Sequence, residues 1–375
     1  MPIKLKVART DKELDDVFRL RYDVYVRERD KFSEKRATSD ERIVDCFDAL
    51  PGVANVVAYD GDTAIASFRV NRDSTVGLAP EKYFDFTQTR GLIEQSAERK
   101  GTPPCIVSGS MLAIHKQWRH KRNVIFALFK KTTAVMRDLG ATHVFGAASA
   151  ETFSLYGRLG FDATAEEQWV ESVGDRLIPM MAPFEKVFNW AFGHSVPLKS
   201  HFCSGASCAD FETLLLSPGE VLFRQNDAAE YAYSIEKGGV SLSQQEGNRQ
   251  DFVISQLGKG TLFGEFAVAN QRRSTTATAT MNTQVIAIKN SYIQRQLRKD
   301  SAQVTQLQRS EKNRKALVPG AGFSAWERLL ARHAPMSPGV SGGNRADRER
   351  DNSRDVRPFF LTPASGSTAN MQVLP

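Results

Sequence analysis

The chain has 375 residues, 41% hydrophobic and 25% charged, with a formal net charge of +7. This is the composition of a globular protein with room for two domains. No run of eighteen apolar residues occurs and charges are spread through the first thirty, so neither a membrane span nor a signal peptide is predicted and a cytoplasmic protein is expected.

In chain order, residues 4–7 read as a first strand. Thr10 and Glu13 form a capping box opening a helix, with Leu14, Val17, Phe18, Tyr22 and Tyr25 at helical spacing. Residues 27–40 are charged and read as a loop. Residues 56–70 read as two strands about an Asp60-Gly61 turn. Residues 105–114 form an apolar strand containing Gly109, where a bulge is expected. The basic run Trp118-Arg119-His120-Lys121-Arg122-Asn123 leads into a helix carrying Val124, Leu128, Phe129, Val135, Met136 and Leu139, ended by Gly140. A strand over 142–147, a short helix over 153–159 and Gly160-Phe161 follow.

That succession resembles the GNAT superfamily of N-acyltransferases over residues 3–185, most clearly over 105–161. Within it, Arg21-Tyr22-Asp23-Val24-Tyr25, Asp45-Cys46-Phe47-Asp48 and Ser67-Phe68-Arg69-Val70 resemble the front half of the autoinducer synthases and N-acyl amino acid synthases. Those enzymes move a fatty acyl group from acyl carrier protein or coenzyme A to an amine. The resemblance implies that Asp45, Asp48 and Arg69 line the acceptor side; a salt-linked brace for the loop would use the same residues.

Thioester carriers are anionic at the pantetheine phosphate, which suits a basic turn opening a helix. In the superfamily this turn is glycine-rich, whereas residues 119–124 contain no glycine. We therefore expect Arg119, Lys121 and Arg122, with Asn123 and Val124, to meet an acidic acyl carrier protein in preference to coenzyme A pyrophosphate. Amides near Gly109 and Ser110 are candidates for holding the oxyanion. Tyr156 stands where the superfamily often has a tyrosine that protonates the leaving thiolate, and it is equally readable as core packing. Where the synthases tend to carry Ser-Arg, this chain has Ser110-Met111. His115, His120 and His143 read as structural histidines.

Residues 178–192 are apolar and proline-broken, and read as a helix packed on the preceding domain; residues 193–210 read as a junction. Cys46, Cys105, Cys203 and Cys208 are too scattered for a disulfide framework, and His201, Cys203 and Cys208 lack a fourth ligand, so no metal is expected.

Residues 216–223, 231–242 and 252–260 alternate as short strands between turns, the pattern of a small β-barrel. The run over 262–280 then combines Gly264, whose backbone can approach an anion, Glu265 as an acceptor for sugar hydroxyls, and a small apolar turn beginning Phe266-Ala267. Arg273 adds a fork of donors for a phosphate, with the hydroxyls of Ser274 and Thr275 beside it. This resembles the phosphate-binding cassette of the cyclic nucleotide-binding domain family, implying cAMP or cGMP as effector; Ser274 does not choose between them. The Gly264 to Arg273 spacing is one residue short of the usual pattern, and Asn226 stands where glycine is usual. A roll that keeps its shape and binds nothing is the alternative.

Residues 291–317 are charged and helix-compatible, as for closing helices. Ser324 and Glu327 form a second capping box, starting a helix with Trp326, Leu329 and Leu330 that we expect to move with ligand. The tail after 335 reads as disordered. No helix-turn-helix or aromatic platform is present, so no nucleic acid is expected as partner.

The expected fold is α+β: a mixed sheet with flanking helices over 1–185, a linker over 186–212, a jelly-roll-like β-roll over 213–300, helices over 301–335 and a tail over 336–375. The expected function is a cyclic-nucleotide-regulated N-acyltransferase. A non-enzymatic adaptor with a degenerate transferase domain and a protein-lysine acetyltransferase are the alternatives.

Overall fold

The computed structural model describes residues 1–32, 40–193, 211–245, 252–264 and 272–292. The expectations for Glu265, Phe266 and Ala267, for the junction at 194–210 and for everything beyond 292 lie outside the described residues.

The N-terminal half begins with β1 (Ile3–Val7). The Thr10 box is formed in both directions, Thr10 accepting the Glu13 amide at 3.3 Å and Glu13 the Thr10 amide at 3.2 Å, and it opens α1 (Asp11–Tyr22). The helix runs on as a single π-helical turn, Asp23–Arg27, an irregularity that concentrates at functional sites. The hairpin forms as β2 (Val53–Asp60) and β3 (Thr63–Arg72). Next comes α2 (Thr87–Lys100), which periodicity does not reveal because Ile93 alone of its residues is buried.

β4 (Ile106–Ile114) is followed by α3 (Arg122–Asp138), β5 (His143–Ala148) and α4 (Ala150–Arg158). Short β6 (Asp162–Ala163) and β7 (Gln168–Val170) precede β8 (Asp175–Pro183) and α5 (Phe184–Phe192). The apolar segment over 178–192 is thus half strand and half helix: its first part pairs antiparallel with β5, and the helix starts only after Pro183.

The expected bulge exists, two residues beyond Gly109. Arg69 faces Ser110 while Ser67 faces Ala113, so β4 carries an extra residue at Met111-Leu112, and Met111 sits at φ 52°. Gly109 serves packing instead, since a Cβ there would stand 2.9 Å from the Phe68 ring. β4 and β5 form a parallel pair only as far as Ser108 and Phe145, and separate beyond it.

The second half is a roll of β9 (Glu212–Leu216), β10 (Val221–Phe223), β11 (Tyr231–Lys237) and β12 (Gly239–Gln244), then β13 (Phe252–Gly258), β14 (Leu262–Phe263), β15 (Thr276–Ala279) and β16 (Thr283–Lys289). One of its sheets runs β10-β15-β12-β13. The other does not end within the roll. Its order is β14-β11-β16-β9-β1-β2-β3-β4-β5-β8-β6, with β7 on β8, so both halves share one sheet.

The join is an antiparallel β1–β9 pair, with Ile3 opposite Leu215, Lys4 opposite Leu214 and Leu5 opposite Thr213. It closes edges that each half would otherwise leave open. Beside it Lys131 of α3 donates to the Phe211 carbonyl, and Ala134 and Phe192 pack with Ala232, Ile286 and Ile288 of the roll.

Candidate functional site

The separation of β4 from β5 opens a cleft of about 360 Å³, walled by Tyr25, Asp45, Arg69, Ser110, Arg119 and Tyr156 among others. Its floor is a buried charge network. Arg69 and Arg21 are both 0% exposed. Arg69 donates from Nη1 to Asp45 at 2.5 Å and to Asp48 at 2.9 Å, from Nη2 to Asp45 at 3.0 Å, and from Nε to the Ser110 hydroxyl at 3.0 Å. Arg21 donates from Nη1 to both Asp48 oxygens at 3.0 Å and from Nη2 to Asn55 at 2.5 Å.

The two aspartates therefore differ. The Asp48 side chain, 3% exposed, is sealed between two guanidinium groups; Asp45, at 27%, keeps contact with the cleft. Burial pushes the Asp48 carboxyl up, but the charges of Arg21 and Arg69 outweigh it and hold the group below the usual carboxylate range. Of the residues expected on the acceptor side, Asp45 and Arg69 wall the cleft and Asp48 does not.

The same register places the amides. Asp73 donates to the Ile106 carbonyl, so by alternation Arg69 and Ser110 are a bonded pair and the Ser110 amide points at β3. The residues outside the ladder are Met111 and Leu112, and the Leu112 carbonyl accepts the Tyr25 hydroxyl at 2.8 Å. Burial pushes Tyr25 up to about 12. Tyr156 is 6% exposed, edge-on to Phe129 and Phe161, so it is core as well as cleft wall. Burial raises its pKa too, with a smaller contribution from Tyr25, and it stays a hydrogen-bond donor at neutral pH.

Behind Phe68, Gly109 and Tyr156, which also wall the cleft, lies a small apolar cavity of about 20 Å³ closed by Met136 and Met180. At the basic turn, the amides of Arg122 and Val124 donate to the His120 and Lys121 carbonyls, as does that of Ile125 to Lys121. Lys121, Arg122 and Asn123 are exposed, while Arg119 is held by Glu28 and the Ile114 carbonyl. Val124 leaves the expected donor set: its side chain is 0% exposed, in the core.

In the roll, Gly264 takes φ 79° and Asn226 keeps the left-handed backbone of the usual glycine, at φ 72°. Asparagine tolerates that region. Arg273 lies beside Gly264 but faces inward, 3% exposed. Its Nη1 donates to the Gly264 carbonyl at 3.1 Å and its Nη2 to the Tyr231 carbonyl at 2.5 Å, with the guanidinium carbon 4.1 Å from the Phe223 ring centre and 5.3 Å from that of Tyr233. Ser274 is exposed and Thr275 half-buried next to it.

Sequence reasoning passed over Arg21, Tyr25 and Asn55 as site residues. The signal for Arg21 was its place four residues after Val17, on the apolar face of α1, where an unpaired cation would not be buried.

The first half is thus a mixed sheet splayed at a bulged strand over a buried acid and arginine floor, and the second a β-roll with Arg273 bonded to the Gly264 carbonyl. Residues 16–183 match the family model described as N-acyl amino acid synthase FeeM, and residues 214–300 that of the cyclic nucleotide-binding domain. The chain thus joins an N-acyltransferase domain to a cyclic nucleotide-binding domain. Among solved structures it is similar to FeeM, an N-acyl amino acid synthase from uncultured soil microbes, at 14% identity and TM-score 0.39 over 51% of this chain and 94% of that one. The roll is similar to the EAL enzyme Bd1971 in its cAMP and cyclic-di-GMP bound form, at 25% identity and TM-score 0.26 over 27% of each chain. It is also similar to the sensor domain of the transcriptional regulator DNR from Pseudomonas aeruginosa, at 19% identity and TM-score 0.30 over 36% of this chain and 99% of that one. Among the described residues no helix is long and apolar enough to cross a membrane, and no metal-holding cluster occurs.

Proposed function

We propose that the protein transfers an acyl group from acyl carrier protein to the amine of an amino acid, at a rate set by cAMP or cGMP bound in the roll. The observation that carries the chemistry is the cleft itself, which holds Asp45 by both oxygens on Arg69 and brings Tyr156 to the mouth of the β4–β5 gap. The acceptor ammonium sits on Asp45. After it loses a proton, its nitrogen attacks the thioester carbon, the C–N bond forms and the C–S bond breaks. Of the two protons the nitrogen sheds, one ends on the thiol and one in water. Tyr156 offers its hydroxyl to the departing sulfur, and the backbone at the bulge faces the oxyanion.

The apolar cavity behind Gly109 favours an acyl tail over an acetyl group. Met136 and Met180 close it, and methionine repacks readily to admit a chain. The donor preference rests on the basic turn, where the amides that would cradle a pyrophosphate are already spent on His120 and Lys121.

For regulation, a cyclic phosphate offers Arg273 charge-assisted bonds in place of two backbone carbonyls. One of those carbonyls belongs to Tyr231 on β11, whose next residue, Ala232, packs in the cluster against α3 and α5. α3 in turn starts at the basic turn, giving the effector a continuous path to the donor side. The inward Arg273 also suits a second reading, a roll that holds no nucleotide. Titration calorimetry with each nucleotide separates them: the proposal expects binding that Arg273→Ala abolishes, and the absence of heat with both nucleotides would leave a constitutive transferase.

A further inference from the structure

The charges around the cleft cancel in pairs with a remainder. Asp45 is taken by Arg69, Glu28 by Arg119 and His115, and Asp175 by Lys31. Among the described residues, the lining charges without an ionic partner are Arg29, Lys82 and Glu151. Glu151 lies in the first turn of α4, where a carboxylate is favoured by the helix dipole. Lys82 ends the short helical turn Ala79–Lys82 and lies 5.7 Å over the ring of Tyr83, so of the two cations only Arg29 lacks such a local reason.

Arg29 is also held in place by its neighbours. Glu28 is tied to Arg119, Lys31 to Asp175 and by its amide to the Tyr25 carbonyl at 2.8 Å, and the Phe32 amide to the Val173 carbonyl at 3.1 Å. Just after Arg29 the chain takes the left-handed backbone at Asp30 and Phe32, φ 55° and 52°, which aspartate adopts more readily than phenylalanine. Arg29 lines the same cleft as Tyr25, Asp45 and Arg69.

We infer that Arg29, assisted by Lys82, grips the carboxylate of the acceptor amino acid while Asp45 receives its ammonium. The inference rests on the N-acyl amino acid reading above and assigns its acceptor specificity. Two charges of opposite sign lining one cleft match an α-amino acid and leave an unpaired guanidinium when the acceptor is a plain amine. A site built to bond a group discriminates strongly against the analogue that lacks it.

The test measures kcat/KM with an acyl-loaded carrier protein for L-phenylalanine against phenethylamine, and for L-leucine against 3-methylbutylamine. The full chain is used as wild type, Arg29→Ala, Arg29→Lys and Lys82→Ala. The ratio between paired acceptors is internal to each preparation, so loss of folded protein cancels. Wild type is expected to prefer the amino acid. Arg29→Ala should cut that preference at least tenfold through the acceptor KM, Arg29→Lys should restore part of it, and Lys82→Ala should cut it a few-fold. An unchanged ratio overturns the inference while leaving the N-acyltransferase reading intact. A rise confined to the KM of the acyl carrier protein also overturns it, and would assign the two cations to the pantetheine phosphate. No N-acyl product from any of the four acceptors refutes the underlying reading together with the inference.

Discussion

Replacing Asp48 by alanine should destabilise the protein far more than replacing Asp45, although the two stand three residues apart and share Arg69. Asp48 lies 3.0 Å from Arg21 Nη1 through both oxygens and 2.9 Å from Arg69 Nη1, and all three side chains are closed to solvent. Removing one partner of a buried pair leaves an uncompensated charge and costs about 3–5 kcal/mol. At roughly 2–4 °C per kcal/mol for a domain of this size, Tm should fall by about 6–20 °C. Asp45 keeps contact with the cleft, and water can replace it on Arg69, so its loss should cost about 1–2 kcal/mol but remove most of the acyl transfer. Calorimetric melting of the full chain beside a product assay separates the two effects. Arg21→Met combined with Asp48→Leu should recover much of the lost stability, because an apolar pair needs no desolvation of charge. If the two alanine variants melt alike, or if Asp48→Ala costs less than about 1 kcal/mol, the division of the network into a structural and a cleft-facing half is wrong.

Glu236 on β11 is buried, with Gln284 donating to it, and burial raises its pKa against the nearby charges of Lys130, Lys259 and Lys131. An acid whose folded pKa is raised binds more protons folded than unfolded, so its contribution to stability should decline as pH rises from about 4.3 towards the folded value. Glu236→Gln should flatten that part of the stability profile, and urea melts from pH 4 to 8 would show it. Gly109→Ala forces a methyl group to 2.9 Å from Phe68, which should cost about 1–3 kcal/mol in thermal unfolding and shift acyl preference towards shorter chains. Lys131→Met removes the donor to the Phe211 carbonyl, so basal turnover should persist while the response to nucleotide shrinks; an undiminished response would argue against the path through α3.

Much of this was legible in the sequence because the signals were local. The Thr10 capping box, the hairpin near Gly61 and the stop at Gly140 each depend on a few adjacent residues, and each forms, although Asp60 pairs with Thr63 and the turn is Gly61-Asp62, one residue beyond the expected Asp60-Gly61. What escaped depends on partners distant in sequence. The bulge lies at Met111-Leu112 and not at Gly109, because the glycine answers to the Phe68 ring across the sheet. The β1–β9 join unites residues some 210 apart, with no turn signal to announce it. Spacing alone does not show which of the Asp45 and Asp48 carboxylates faces water. Arg273 is legible beside Gly264, but the stacked rings of Phe223 and Tyr233 against which it turns inward lie on other strands.

The most direct test of the whole account is to incubate the purified chain with acyl-loaded carrier protein and a mixture of amino acids, with and without saturating cAMP or cGMP, and to quantify N-acyl amino acids by mass spectrometry. The account predicts product whose rate of formation changes several-fold with one nucleotide. Equal rates in all three conditions would contradict the regulatory claim, and the absence of any N-acyl amino acid would contradict the catalytic one.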